Sequence, residues 1–300
     1  VANAVASPFE KFRSLLEFTV EDNILGIIAG NGWLSSRLGV VTTREHAVRL
    51  YNDVLQIPWS QTRAEVLAES NVTIDGIMPI AGAQTATFHY AFDDNIPKVL
   101  KIPMTQAKVN RECAMYEELG THAETCSLAL VPVRKLKLRG TVRDNRYSPE
   151  KLVEQGILMP PYWCTVGDIP TPASATRALS VFERVSPALQ YLHRYGWIHG
   201  DVKPANIFLD VAGHAWLGDY GTSINAVDFE SFTGGTLKYQ LADVTIKDGP
   251  RFDRVGLALV LLDLLGVNYG QDYSTKDIRA LVNAGRVEQE VGVKVLELIS

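Results

Sequence analysis

Cysteine is scarce here: Cys113, Cys126 and Cys164 are the only thiols in 300 residues. Odd in number and widely spaced, they form neither a metal-ligand pattern nor a disulfide framework, which points to a reducing, intracellular compartment, cytoplasm or nucleus. Long apolar runs are also lacking. The longest, Val255 to Val267, carries Asp263 and is too short to span a bilayer. Excess charge of one sign is absent too. A net charge of −5 gives no global pull toward nucleic acid or an anionic membrane. No internal repeat or low-complexity tract occurs. The chain begins at Val1 and reads as a fragment or processed form, in which a removed targeting segment would leave no trace.

What remains is an ordinary globular composition, long enough for two cores. Residues 1–72 read as a helical extension. Ser7-Pro8-Phe9-Glu10 is a capping box with proline at the first helical position, and Thr42-Thr43-Arg44-Glu45 opens a second helix that Pro58 ends. A third helix is expected over Gln61 to Glu69. Residues 73–161 change period. Strands are expected at Ile80–Tyr90, Ile96–Ile102, Leu128–Leu138 and Leu152–Met159, with a helix from Ala107 to Leu119 stopped by Gly120. Residues 162–300 turn helical again. A long amphipathic helix from Ala175 to Tyr195 is expected to kink or unwind at Pro187.

That helix leads into the stretch richest in chemistry. His199-Gly200-Asp201-Val202-Lys203-Pro204-Ala205-Asn206 is followed, thirteen positions after Asn206, by Asp219-Tyr220-Gly221. Between them, Ile207-Phe208-Leu209, Asp210-Val211-Ala212-Gly213 and Ala215-Trp216-Leu217 read as strand, turn and strand. Such a hairpin brings two carboxylates, an ammonium and an amide to one place. Phosphoryl transfer needs that set: a carboxylate to position a hydroxyl and take its proton, a cation at the transferred phosphate, and oxygen ligands for Mg2+.

The run resembles the catalytic loop and metal-binding motif of eukaryotic-type protein kinases, with Lys203-Pro204-Ala205-Asn206 in the form of the Ser/Thr branch. The resemblance covers residues 76–299, most closely 197–221. It implies an α+β, bilobal protein-kinase-like fold, with a β-rich small lobe (73–161), a helical large lobe (162–300) and Mg-ATP between them. Asp201 would be the catalytic base, Lys203 the phosphate contact, and Asn206 and Asp219 the magnesium ligands. His199 would be structural. Lys101, closing Val99-Leu100-Lys101, would reach the nucleotide phosphates, with Lys98 as the rival. Glu112 would pair with Lys101, and Glu117 and Glu118 are alternatives. The phosphate-covering loop would be Ile80 to Phe88, where only Gly82 stands in place of three glycines, beside Ala83. Gly30-Asn31-Gly32 reads as a turn. Met159 and Tyr162 would flank the adenine, with Pro160 and Pro161 removing backbone donors.

Further matches are Gly235-Thr236 with Tyr239, which resembles a peptide-docking loop placing Thr236 on Asp201 and Lys203, and Asp253, which would brace the catalytic loop. Leu241-Ala242-Asp243 departs from the family's Ala-Pro-Glu, and no arginine partner for Asp243 is visible. Gly200 replaces the arginine that meets a phosphorylated activation loop, which implies activity independent of that phosphorylation. Ser223, Ser231 and Thr233 are candidate autophosphorylation sites. The basic run Arg134, Lys135, Lys137, Arg139, Arg143 and Arg146 reads as a solvated edge. The implied activity is transfer of phosphate to protein serine or threonine hydroxyls. Two alternatives stay open. One is a pseudokinase binding module, suggested by the poor glycine loop. The other is a small-molecule phosphotransferase, suggested by His-Gly-Asp.

Overall fold

The computed structural model describes residues 61–66, 72–78, 86–94, 96–103, 106–125, 127–143, 151–232 and 234–300. The helices expected to open at Ser7 and Thr42, the Gly30–Gly32 turn and the Gly82–Ala83 segment lie outside them. The chain divides into two units, Val1–Cys113 with Pro132–Tyr162, and Ala114–Val131 with Trp163–Ser300.

The first unit is built on a six-stranded antiparallel sheet. Its strands are β1 (Gln61–Val66), β2 (Val72–Met78), β3 (Ala86–Asp93), β4 (Ile96–Pro103), β5 (Arg134–Arg143) and β6 (Lys151–Met159), in the order β1-β5-β6-β4-β3-β2. β4 is central. From Val99 to Pro103 every residue is buried, as expected of a strand covered on both faces. Leu100 and Ile102 join Val72, Ala91, Leu136, Leu138 and Leu158 in one apolar cluster. On β5, Leu136 and Leu138 point inward while Lys135, Lys137 and Arg139 are exposed, so these three basic residues are the solvent face of a half-buried strand. Arg134 is also exposed and pairs with Asp93 at 2.8 Å.

Gln61–Val66, expected to be helical, is instead strand β1, in register with β5 from Gln61↔Arg143 to Val66↔Leu138. Pairing with a long partner strand overrides the helical preference of its Gln, Arg, Ala and Glu. The helix α1 also differs from expectation, running from Gln106 to Thr125 straight through Gly120. A Cβ at 120 would lie 2.3 Å from the Tyr116 ring, one turn earlier. This glycine makes room for a ring rather than ending the helix. The strand expected from Leu128 starts only at Arg134. Upstream, Ala129 to Val131 pair instead with Leu217, through Val131 N–H to Leu217 O at 2.8 Å and Leu217 N–H to Ala129 O at 2.7 Å. Pro132, lacking an N–H, separates the two pairings.

In the second unit, α2 (Ala175–Arg194) starts at Ser174, whose Oγ accepts the Arg177 N–H. It buries Ala178, Val181, Val185, Ala188, Leu189 and Leu192 and runs through the exposed Pro187. Strands β7 (Cys164–Thr165), β9 (Ile207–Leu209) and β10 (Ala215–Leu217) form a small sheet, and β8 (Trp197–Ile198) pairs with β11 (Ile224–Asn225). The expected hairpin is therefore present with its expected bounds. Asp210 closes its turn by accepting the N–H groups of Ala212 and His214. α3 (Pro250–Leu264) is apolar almost all round and forms the unit's centre, packing against α2 and α5 (Gln289–Ile299). Each fully buried leucine among Leu257, Leu259, Leu261 and Leu262 gains roughly 1.5–3 kcal/mol by leaving water. α4 (Thr275–Asn283) completes the unit, capped by Ser274 with Asp277. Among the described residues, no helix is long and apolar enough to cross a membrane.

Candidate active site

The turn between β8 and β9 carries His199 to Asn206, and its shape is set from beneath by Asp253. This residue sits in the first turn of α3 with only 1% of its surface exposed. Its Oδ2 accepts the His199 N–H at 2.7 Å and contacts His193 Nε2 at 2.8 Å, while Oδ1 accepts the Gly200 N–H at 2.8 Å. One buried carboxylate thus holds two consecutive backbone amides. The His199 ring, fully buried, spans the next gap. Its Nε2 lies 3.0 Å from Gly218 O, and its Nδ1 accepts the Asp201 N–H at 3.3 Å. These partners set the tautomer that carries its proton on Nε2. Both ring nitrogens of His199 are thus engaged by backbone groups.

Asp201 is held at both oxygens. Oδ1 accepts the Thr236 hydroxyl at 2.8 Å; Oδ2 accepts the Asn206 amide at 3.1 Å and pairs with Lys203. Lys203 also donates to Thr236 Oγ1 at 2.9 Å. Asp201, Lys203, Asn206 and Thr236 therefore form one connected group, brought together across 35 positions of sequence. The second Asn206 hydrogen bond goes to Asp201 O at 2.9 Å, so its NH2 is committed and its Oδ1 is the atom turned to other partners. Asn206 O accepts the Gly218 N–H at 3.0 Å, which places Asp219 beside this group. Asp219 has left-handed backbone, φ +63°, uncommon for a non-glycine residue and typical of functional positions.

The residues thus fit a magnesium ion. Asn206 Oδ1 and the Asp219 carboxylate are two hard oxygen donors close along the chain's fold. Magnesium suits such a sparse set, since it takes its remaining ligands from phosphates and water.

In the first unit, Lys101 and Glu112 form a two-pronged buried ion pair. Lys101 Nζ lies 2.9 Å from both Oε1 and Oε2, and the residues are 9% and 2% exposed. β4 and the first turns of α1 supply the two partners. Glu117 and Glu118 are exposed, and Glu118 accepts the Trp197 indole N–H. Met159 ends β6 with its side chain buried, and Tyr162 is half-buried.

Several features had no clear sequence signal. Tyr220 is fully buried, and its hydroxyl lies 2.9 Å from Val131 O and 2.8 Å from Leu217 O, so one proton is shared between two carbonyls. Its ring stacks on Tyr116 and meets His199 edge-on. Ser223, read as a candidate for phosphorylation, is 1% exposed and donates to His199 O at 3.3 Å; its hydroxyl is structural. Thr233 and the Ser231 side chain lie outside the described residues. Asp243 accepts the Thr275 N–H at 2.8 Å, at the start of α4, and Arg251, which donates to the Thr275 hydroxyl at 3.0 Å, lies near enough to act on its charge. Burial pushes its pKa up, but hydrogen bonds from Thr275 and the nearby Arg251 charge outweigh this and hold the carboxyl below its ordinary range.

The family model for the protein kinase domain matches residues 165–254, a stretch containing Asp201, Lys203, Asn206, Asp219, Thr236 and Asp253. Among curated proteins, the chain is similar to the eIF-2-alpha kinase GCN2 of Mus musculus, 37% identical over 83 residues, which is 27% of this chain and 5% of that protein. It is 31% identical over 108 residues to the Mus musculus interferon-induced, double-stranded RNA-activated protein kinase, covering 34% of this chain and 21% of that protein. Ribosomal protein S6 kinase alpha-1 of Mus musculus is 43% identical over 65 residues, 20% of this chain and 9% of its own length. Over residues 165–254, less than half of its length, the chain is similar to eukaryotic-type protein kinases. It spans only a small part of the curated relatives it matches first.

Proposed function

We propose that this protein transfers the γ-phosphoryl group of Mg-ATP to serine or threonine hydroxyls of proteins. The observation that carries the reading is the Asp201 carboxylate, held on one oxygen by Thr236 and on the other by Asn206 and Lys203. A substrate hydroxyl hydrogen-bonds to Asp201, which aims its oxygen at phosphorus and takes the proton as the new O–P bond forms. The β–γ bridging oxygen leaves with its electron pair on ADP. Lys203 neutralises charge on the moving phosphoryl group, and Thr236 fixes both Asp201 and Lys203. Asn206 Oδ1 and Asp219 would hold magnesium, which would offset charge on the phosphates. Lys101, oriented by Glu112, contacts the phosphates on the nucleotide side. Met159, Tyr162, Gly82 and Ala83 are proposed as further nucleotide contacts. Few and widely spaced cysteines support a reducing compartment of the cell, cytoplasm or nucleus.

Gly200 in place of an arginine supports activity without activation-loop phosphorylation. The test is phosphate incorporation measured by mass spectrometry with Mg-ATP and a generic protein substrate such as myelin basic protein, beside Asp201→Asn and after phosphatase treatment. Phosphoserine or phosphothreonine that vanishes in Asp201→Asn and survives phosphatase is the expected result. No transfer by folded wild-type protein would instead favour a binding role, and loss of activity on dephosphorylation would refute loop independence.

A further inference from the structure

Gly200 is more than a missing arginine. It is buried with φ +82°, a conformation open to glycine and strained for other residues. The space beside its Cα is already occupied. A Cβ there would lie 2.8 Å from Phe232 Cε2 and 2.9 Å from Thr222 O. The Phe232 ring, from the segment after Asp219, therefore sits where a side chain at 200 would begin. Its other neighbour is Phe252, edge to face with centroids 5.9 Å apart. Phe252 adjoins Asp253, the carboxylate that holds the Gly200 amide, so ring and backbone are anchored to the same turn of α3.

The same ring borders the next link. Gly235 has φ +102°, and a Cβ on it would lie 3.3 Å from Gly200 O and 3.4 Å from Phe232 Cζ. The following residue is Thr236, whose hydroxyl holds Asp201. Two hydroxyls close the other end of the segment, since Thr222 and Ser223 both donate to His199 O, at 3.1 and 3.3 Å. The contacts made by Phe232, and those of Thr222 and Ser223 with His199 O, involve neutral groups alone.

We propose that Phe232 is a positioning residue. By filling the space left by Gly200, it clasps the segment from Thr222 to Thr236 onto the catalytic loop and sets Thr236 against Asp201, a task that needs no phosphate. This rests on the kinase reading above and adds a device to it. The sequence cost of the clasp is that position 200 must be glycine as long as Phe232 occupies the space.

The test compares wild type, Phe232→Ala, Phe232→Leu and Gly200→Ala. Steady-state kinetics are run on dephosphorylated protein, alongside hydrogen exchange of residues 222–240, affinity for a non-hydrolysable ATP analogue and thermal unfolding. Phe232→Ala is expected to lower kcat by about tenfold or more, the consequence of losing about 1.4 kcal/mol of transition-state alignment. KM for the protein substrate rises and exchange of residues 222–240 accelerates, while nucleotide affinity stays at wild type. Phe232→Leu restores most of kcat by refilling the space, and Gly200→Ala repeats the Phe232→Ala pattern. A folded Phe232→Ala with wild-type kcat, substrate KM and exchange overturns the clasp while leaving the kinase reading intact. An equal loss of nucleotide affinity and of unfolding temperature in Phe232→Ala and Phe232→Leu also overturns it, because that is a general loss of fold. A wild-type protein that transfers no phosphate overturns the kinase reading and the positioning role with it.

Discussion

Replacing Asp253 with asparagine removes one charge and one acceptor oxygen from a carboxylate that serves His199 N–H, Gly200 N–H and His193 Nε2. The least costly orientation keeps the amide oxygen on Gly200 and turns the NH2 toward His193, whose ring nitrogen can accept in its other tautomer. The His199 N–H then has no acceptor, in a place with almost no access to water. A hydrogen bond to a charged group contributes about 1.5–3 kcal/mol and a buried unsatisfied amide costs about 1–3 kcal/mol; because these overlap, we expect a loss of about 2–4 kcal/mol. That is a large part of the 5–15 kcal/mol or so that holds a typical domain folded. At about 2–4 °C per kcal/mol for a chain of this size, unfolding should occur roughly 5–15 °C lower. Asp253→Ala, which strips both amides, should cost more. Calorimetry gives the unfolding shift, and phosphate incorporation at a temperature where the variant is folded gives the functional effect. Activity should fall further than the unfolded fraction explains, since Gly200 and His199 frame Asp201. An Asp253→Asn protein that melts within a degree of wild type and keeps its kcat would refute the reasoning.

Two further predictions follow from buried or capping charges. Lys101→Met leaves Glu112 buried without that cation and should cost about 3–5 kcal/mol, whereas Lys101→Met with Glu112→Leu should recover much of the loss. Denaturant titrations of the two singles and the double check this, and strictly additive losses would contradict it. Asp243→Ala should lose about 1 kcal/mol at neutral pH by freeing the Thr275 amide at the start of α4. The folded carboxyl titrates below its ordinary value. Its contribution is therefore full above the unfolded value near pH 4 and is lost as pH falls through the folded one, so the gap between wild type and variant should close on acidification below about pH 4. A gap that widened there would reverse the assigned sign.

What could be read from sequence follows how local each determinant is. The hairpin from Ile207 to Leu217 was legible because alternation, an Asp-to-Gly turn and a second alternating run lie within eleven positions, and it carries Asn206 and Asp219 at its two ends. Lys101 with Glu112 was legible for a related reason: a buried strand end and a helix whose adjoining face is apolar leave few choices of partner. β1 was not legible, because four of its six residues, Gln61, Arg63, Ala64 and Glu65, favour helix and the partner strand β5 makes them extended. Gly120 was misread because the same residue type that ends a helix also admits a neighbouring ring. Asp243 finds a backbone amide, and no side-chain inventory can nominate one.

Position 200 shows the limit most clearly. From sequence, glycine there means that an arginine is missing and that a phosphate has nothing to bind. In the folded chain the position has left-handed backbone and an aromatic ring against it, both set by residues up to 53 positions away. Restoring an arginine alone would strain the backbone and evict Phe232, so it would not recreate a phosphate-responsive loop. The arginine and a smaller residue at 232 would have to change together. A glycine at this place is thus a packing requirement with a partner, and its meaning for regulation is carried by the pair.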